Sequence, residues 1–92
     1  MTKNKYNGWT NYETWNYKLW LDNNYNAYNS VIELSKEHEN AHDLSYALSD
    51  LANENAPEIS PSFYSDVMSA SIREVNFLEI AESYLEEIRE VA

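Results

Sequence analysis

The sequence predicts an all-α fold, a compact bundle of about five short helices in 92 residues. Three observations carry that expectation. One Gly and two Pro are too few turn-formers for an all-β chain. Apolar residues recur at helical spacing, with no sustained period-two alternation. Capping patterns precede three of the apolar segments. At 10.8 kDa the chain suits a single domain over 1–92, with residues 1–10 expected as a flexible arm.

Asn7-Gly8 reads as a turn ahead of the first helix. Thr10-Asn11-Tyr12-Glu13 fits a capping box, Thr10 at N-cap and Glu13 at N3, which opens a helix over about 11–23. Tyr12, Trp15 and Leu19 share one face of it, and Tyr17, Trp20 and Leu21 widen the apolar arc nearly all round. Such a helix is expected at the centre of the domain, with Glu13 and Asn16 as hydrogen-bonded structural groups. The second helix is expected over about 25–38, with Ala27, Tyr28, Val31, Ile32 and Leu34 apolar. The third spans about 41–53, turns Leu44, Ala47, Leu48 and Leu51 inward, and ends at Asn55-Ala56-Pro57. Ser60-Pro61 reads as an N-cap followed by Pro at N1. The fourth helix then runs to about 74 with Tyr64, Val67, Met68 and Ile72 on one face. Asn76-Phe77-Leu78-Glu79 opens the last, whose inner face is Phe77, Ile80, Ala81, Tyr84, Leu85 and Ile88.

Sixteen carboxylates against six Lys/Arg give a net charge of −10. Direct nucleic-acid binding through phosphate contacts needs a cationic surface and is not expected. No apolar run exceeds three residues, as in Leu19-Trp20-Leu21, so neither a membrane span nor a signal peptide is read. Zero Cys leaves no disulfide, thiolate nucleophile or cysteine metal site. A soluble, cytoplasmic protein is expected.

The charge is uneven. Residues 1–30 carry three Lys and two acids, a net of +1, whereas 31–92 carry three basic residues and fourteen acids, a net of −11. In the last helix Glu79, Glu82, Glu86 and Glu90 fall within about 80° of arc opposite the apolar face. They form a row of roughly 16 Å with neighbours about 6 Å apart. Glu33 and Glu37 form another i, i+4 pair, and Asp43, Asp50 and Glu54 line the flank of the third helix. Like charges at this spacing repel by a few tenths of a kcal/mol per pair, which mixed Glu and Lys would avoid. Solvated outer faces explain such residues in general. Rows on rigid helices also present negative charge at separations comparable with successive DNA phosphates, so a cationic DNA groove would accept them.

Catalytic chemistry has few places to sit. His38 and His42, flanked by Glu37, Glu39 and Asp43, straddle an expected helix break near Asn40, and no motif places a third ligand. No carboxylate pair stands out as acid and base, and the lone Gly8 excludes a Gly-rich phosphate loop. Neither an enzyme, a cofactor nor a bound metal is expected. Trp9, Tyr12, Trp15, Tyr17 and Trp20 could stack single-stranded bases, but Lys3, Lys5 and Lys18 are thin cationic support, and core packing is the better account.

The segment Gly8-Trp9-Thr10-Asn11-Tyr12-Glu13-Thr14-Trp15-Asn16, followed by Leu19-Trp20-Leu21-Asp22-Asn23, resembles the signature of a family of small phage and mobile-element proteins. Glu74-Val75-Asn76-Phe77 with Glu79-Ile80-Ala81-Glu82 resembles the same family. That resemblance implies an origin and no particular activity. Asp43-Leu44 with Ala47, Ala52 and Pro57, then Phe63-Tyr64 and Asp66, is similar to the middle of the T7-type antirestriction proteins of the Ocr kind. Tyr84-Leu85-Glu86-Glu87 is similar to their acidic end. This second resemblance implies an all-α, dimeric mimic of duplex DNA that occupies the DNA groove of restriction enzymes. The present chain is shorter, has an aromatic first third and lacks a long acidic tail.

The expectation is a phage or mobile-element inhibitor of a host defence nuclease, a restriction or CRISPR effector, acting as an acidic DNA mimic in the host cytoplasm. Its partner-binding residues would be Glu79, Glu82, Glu86 and Glu90, with Glu33, Glu37, Asp43, Asp50 and Glu54 contributing. Its partner would be a DNA-binding host defence protein, and a homodimer is possible. A different reading is an inhibitor or adaptor that binds through aromatic residues such as Tyr25 and Tyr46, and a third is a phage structural or assembly protein.

Overall fold

Side-chain oxygens one residue ahead of each helix decide where the chain begins to coil. A computed structural model describes residues 6–91, with α1 at Tyr12–Asn23, α2 at Tyr25–Glu37, α3 at Ala41–Asn55, α4 at Phe63–Glu74 and α5 at Phe77–Val91. Asn11, Asn24, Asn40 and Ser62 are extended N-caps that accept from the amides of Thr14, Ala27, Asp43 and Ser65. Each such cap is worth ~1 kcal/mol over Ala. Asn24 is at once the C-cap of α1 and the N-cap of α2, so a single residue makes that corner.

Two caps fall elsewhere than the sequence pattern suggests. Asn11, not Thr10, caps α1, because the Thr10 amide and hydroxyl are both engaged with α5. Ser62, not Ser60, caps α4, because Ser62 and Ser65 cap each other reciprocally. Of the expected arm, residues 1–5 lie outside the described residues, while 6–10 are held in place. Tyr6 and Trp9 exchange two 2.8 Å backbone hydrogen bonds across Asn7 and Gly8, whose φ values of 49° and 89° make the tight two-residue turn that Asn-Gly favours.

The core is Leu21, Val31, Leu44, Leu48, Ile80, Ala81, Tyr84 and Leu85, with Trp9, Tyr17, Ile32, Leu51, Phe77 and Ile88 packed around it. α5 is its axis: it packs most extensively on α3, then on α2, and also touches α1. The central helix is therefore α5, not α1. An apolar arc that runs all round a helix selects no inner face, whereas α5 is apolar on one face only and buries that face completely at Ile80, Ala81 and Tyr84. α1 instead leaves Trp20 67 % and Tyr12 49 % exposed. Its buried structural polar group is Thr14, rather than the half-buried Glu13 and Asn16.

α4 departs furthest from expectation. It packs chiefly on α1 and contributes no buried residue. Tyr64 and Val67, expected inward, are 71 % and 46 % exposed. The segment from Pro57 to Ser62 that leads into it is exposed throughout.

Candidate partner-binding surface

The acidic residues sit on three helices that pack mutually, α2, α3 and α5. Glu82, Glu86 and Glu90 are exposed on α5, Glu33 and Glu37 on α2, and Asp43, Asp50 and Glu54 on α3. Each is outward for the same reason: its helix spends the opposite arc on Leu, Val, Ile or Tyr of the core. Glu39, Glu58, Asp66 and Glu74 are exposed as well and were not singled out by spacing. Cationic relief is scarce. Among the described residues the ion pairs are Lys18–Asp22 at 2.7 Å and a loose surface pair, Lys36–Glu33, at 3.7 Å. An open cleft of about 420 Å³ runs between the Gly8–Trp9 turn and α5, lined by Glu79, Glu82, Ser83, Glu86 and Arg89.

Glu79 does not belong with the free carboxylates. It is half-buried and its Oε1 accepts the Thr10 amide at 3.0 Å. Around it lies a hydrogen-bonded latch between the start of α1 and the start of α5. The Asn76 Oδ1 accepts the Glu79 amide at 3.0 Å and so caps α5. In a capping box Glu79 would bond back to the Asn76 amide; here that amide donates to Thr14 Oγ1 at 2.8 Å. Thr14 Oγ1 in turn donates to Asn11 Oδ1 at 2.6 Å, and Asn11 Nδ2 donates to the Glu74 carbonyl at 2.7 Å. Asn76 Nδ2 reaches Thr10 Oγ1 at 3.2 Å, which closes the set. The stretches 8–16 and 74–82 meet in this latch. Thr10, Asn11, Thr14 and Asn76 tie the start of α1 to the start of α5.

A second polar group lies beneath α5. Tyr84 is fully buried and its hydroxyl donates to Asp22 Oδ1 at 2.6 Å, while Lys18 bonds Asp22 and stands 4.5 Å from the Tyr84 ring centroid. Tyr28 donates to Glu87 on the neighbouring edge. Burial and then the Asp22 carboxylate push the Tyr84 hydroxyl far above its usual pKa of 10.0. The Glu87 hydrogen bond raises Tyr28, and burial raises Tyr17. All three phenols are protonated at neutral pH and act as donors or packing surface.

His38 is the C-cap of α2, with its Nδ1 2.7 Å from the Leu34 carbonyl, while His42 lies in the first turn of α3. Asn40 caps α3 between them. Tyr25 and Tyr46, named as aromatic contacts, are 80 % and 70 % exposed. Spacing gave no warning of the groove of about 340 Å³ bounded by α1, the end of α3 and α4, with Trp20, Ala52, Pro57, Met68, Ile72 and Phe77 in its lining. Its one sequence signal is the surplus of aromatic residues on α1 beyond what a single inner face can bury.

The architecture defines a small acidic helical domain with a latched core, a sparsely neutralised carboxylate surface and a loosely attached fourth helix. The chain belongs to a family of unknown function, DUF7249, whose model matches residues 2–91. No curated protein and no solved structure is detectably similar to it.

Proposed function

We propose that the protein is a phage or mobile-element inhibitor of a host defence nuclease, a restriction or CRISPR effector. It works in the host cytoplasm as a ligand rather than a catalyst, and presents carboxylates where the target's groove expects DNA phosphates. The observation that carries this reading is the set of eight exposed carboxylates on α2, α3 and α5, of which only Glu33 has a cationic partner among the described residues. The net charge of −10 supports it, because long-range attraction would steer fast encounter with a cationic groove. The working residues are Glu82, Glu86 and Glu90, with Glu33, Glu37, Asp43, Asp50 and Glu54. Glu79 is left out because the Thr10 amide already holds it.

The test is a pull-down from host lysate with tagged protein, eluted by stepped salt and then by duplex DNA. A restriction or CRISPR effector displaced by DNA is expected. The triple variant Glu82→Lys/Glu86→Lys/Glu90→Lys is expected to lose capture while its circular dichroism is unchanged. Capture that survives both DNA and the triple variant would remove the mimic. The exposed Tyr25 and Tyr46 favour a second reading, an adaptor that binds through aromatic contacts. It requires weak salt dependence and loss of binding in Tyr25→Ser/Tyr46→Ser.

A further inference from the structure

Gly8 is the only glycine in the chain, and it follows an asparagine. That pair has a chemistry of its own. Once the Gly8 amide loses its proton, its nitrogen attacks the side-chain carbonyl carbon of Asn7. The bond to the carboxamide nitrogen breaks, and ammonia leaves with the proton. Water then opens the resulting five-membered imide at one carbonyl or the other, giving aspartate or isoaspartate, with no oxidant, reductant or enzyme required. Glycine obstructs the attack least, because it has no Cβ. Asn7 and Gly8 are both exposed, and a Cβ built on Gly8 would meet nothing within 4 Å, so water and base reach the pair. The two hydrogen bonds of the turn run between Tyr6 and Trp9, and neither occupies the Gly8 amide.

The fold adds a guard. The φ values of 49° and 89° are those of a type I′ turn, in which ψ of the first central residue is about +30°. The Gly8 nitrogen then stands roughly 150° around the Cα–C bond from the Asn7 Cβ, beyond reach of the side chain. Closing the imide needs nitrogen and Cβ nearly eclipsed, and that rotation parts Tyr6 from Trp9. Both are anchored. The Tyr6 ring packs on Tyr12 and Trp15 with centroids 5.2 Å and 4.8 Å away. Trp9 packs against the core, with Lys18 Nζ 5.7 Å from its ring centroid. We propose that Asn7 is a self-modification site gated by this turn: the closed hairpin preserves the asparagine, and each opening exposes it to conversion. The two products act differently on the fold. Aspartate keeps a pair that favours the same turn. It also adds a carboxylate beside the cleft that Gly8 and Trp9 share with Glu79, Glu82 and Glu86. Isoaspartate carries the main chain through the former side chain and lengthens it by one methylene. The two 2.8 Å bonds between Tyr6 and Trp9 then cannot both re-form, so this conversion releases the clasp ahead of α1 in one direction only.

The inference does not rest on the DNA-mimic reading. The experiment holds the full chain at physiological temperature and mildly alkaline pH, in buffer and in urea, and follows Asn7 by peptide mass spectrometry. Labelling with a protein isoaspartyl methyltransferase distinguishes isoaspartate from aspartate. Two net hydrogen bonds close the turn, so conversion in buffer should be about thirtyfold slower than in urea. Tyr6→Ala removes two ring contacts at an exposed position and should convert several-fold faster than the parent in buffer, with its circular dichroism kept. Asn7→Gln, whose attack would have to close a six-membered ring, should stay intact over the same period. In the isoaspartate product the Trp9 amide should exchange faster than in the parent. Equal rates in buffer and urea would overturn the proposal. So would a Tyr6→Ala rate no higher than the parent's, or an Asn7 that stays intact even in urea.

Discussion

Replacing Thr14 by Val keeps the shape of a fully buried side chain and deletes one oxygen. That oxygen donates to Asn11 Oδ1 at 2.6 Å and accepts from the Asn76 amide at 2.8 Å. The Asn11 cap survives, because the Thr14 amide still donates to it at 2.9 Å. The Asn76 amide at the start of α5 has no comparable substitute. Two hydrogen bonds at ~1 kcal/mol each, with a donor left unpaired, put the loss at about 2–4 kcal/mol. In a domain of this size that lowers Tm by about 10–20 °C. Thr14→Ser is the matched control: it keeps the oxygen and loses a methyl, at a cost of ~1 kcal/mol. Urea unfolding followed by circular dichroism and tryptophan fluorescence measures both. If Thr14→Val is within about 0.5 kcal/mol of the parent, or if Thr14→Ser costs more, the latch does not bind α1 to α5 as described.

The phenols set an alkaline limit. Tyr84, Tyr28 and Tyr17 all have pKa values raised above 10.0, so the folded chain holds these protons more tightly than the unfolded chain. The stability this contributes is complete below pH 10.0 and is lost as pH rises beyond it. Absorbance at 295 nm should show Tyr28 and Tyr17 ionising above pH 10.0 and Tyr84 only as the fold is lost; ionisation of Tyr84 near pH 10.0 with the fold intact would contradict this. The helices should also open unequally. α4 buries no residue while α5 buries Ile80, Ala81, Tyr84 and Leu85, so dilute-solution hydrogen exchange should release α4 amides well before those of α5. Equal protection of the two would show α4 to be as firmly held as the core.

The helices were legible because their causes are local. α5 carries Ile80, Ala81, Tyr84 and Leu85 on one arc, and helical spacing alone turns that arc inward. The Asn7-Gly8 turn was equally legible, since positive φ at successive residues is cheap for that pair. The outward position of Glu82, Glu86 and Glu90 followed from the same periodicity.

What the sequence could not decide were choices between equivalent local options. Thr10 and Asn11 are both good N-caps, and the difference lies in α5, sixty-odd positions away, which takes up the Thr10 amide and hydroxyl. Glu79 and Glu82 look alike on a helical wheel, yet only Glu79 meets a backbone donor from another part of the chain. α1 has apolar residues on most of its circumference, and which of them stay exposed depends on where α2, α4 and α5 stop covering it. By itself the sequence determined five helices, the inner arcs of α2, α3 and α5 and an acidic exterior, because periodicity and capping act over a few residues. Only the tertiary structure decided that α5 is the axis, that Glu79 is a latch and that α1 and α4 leave an aromatic face open, because these depend on which surfaces meet when the arcs are buried together.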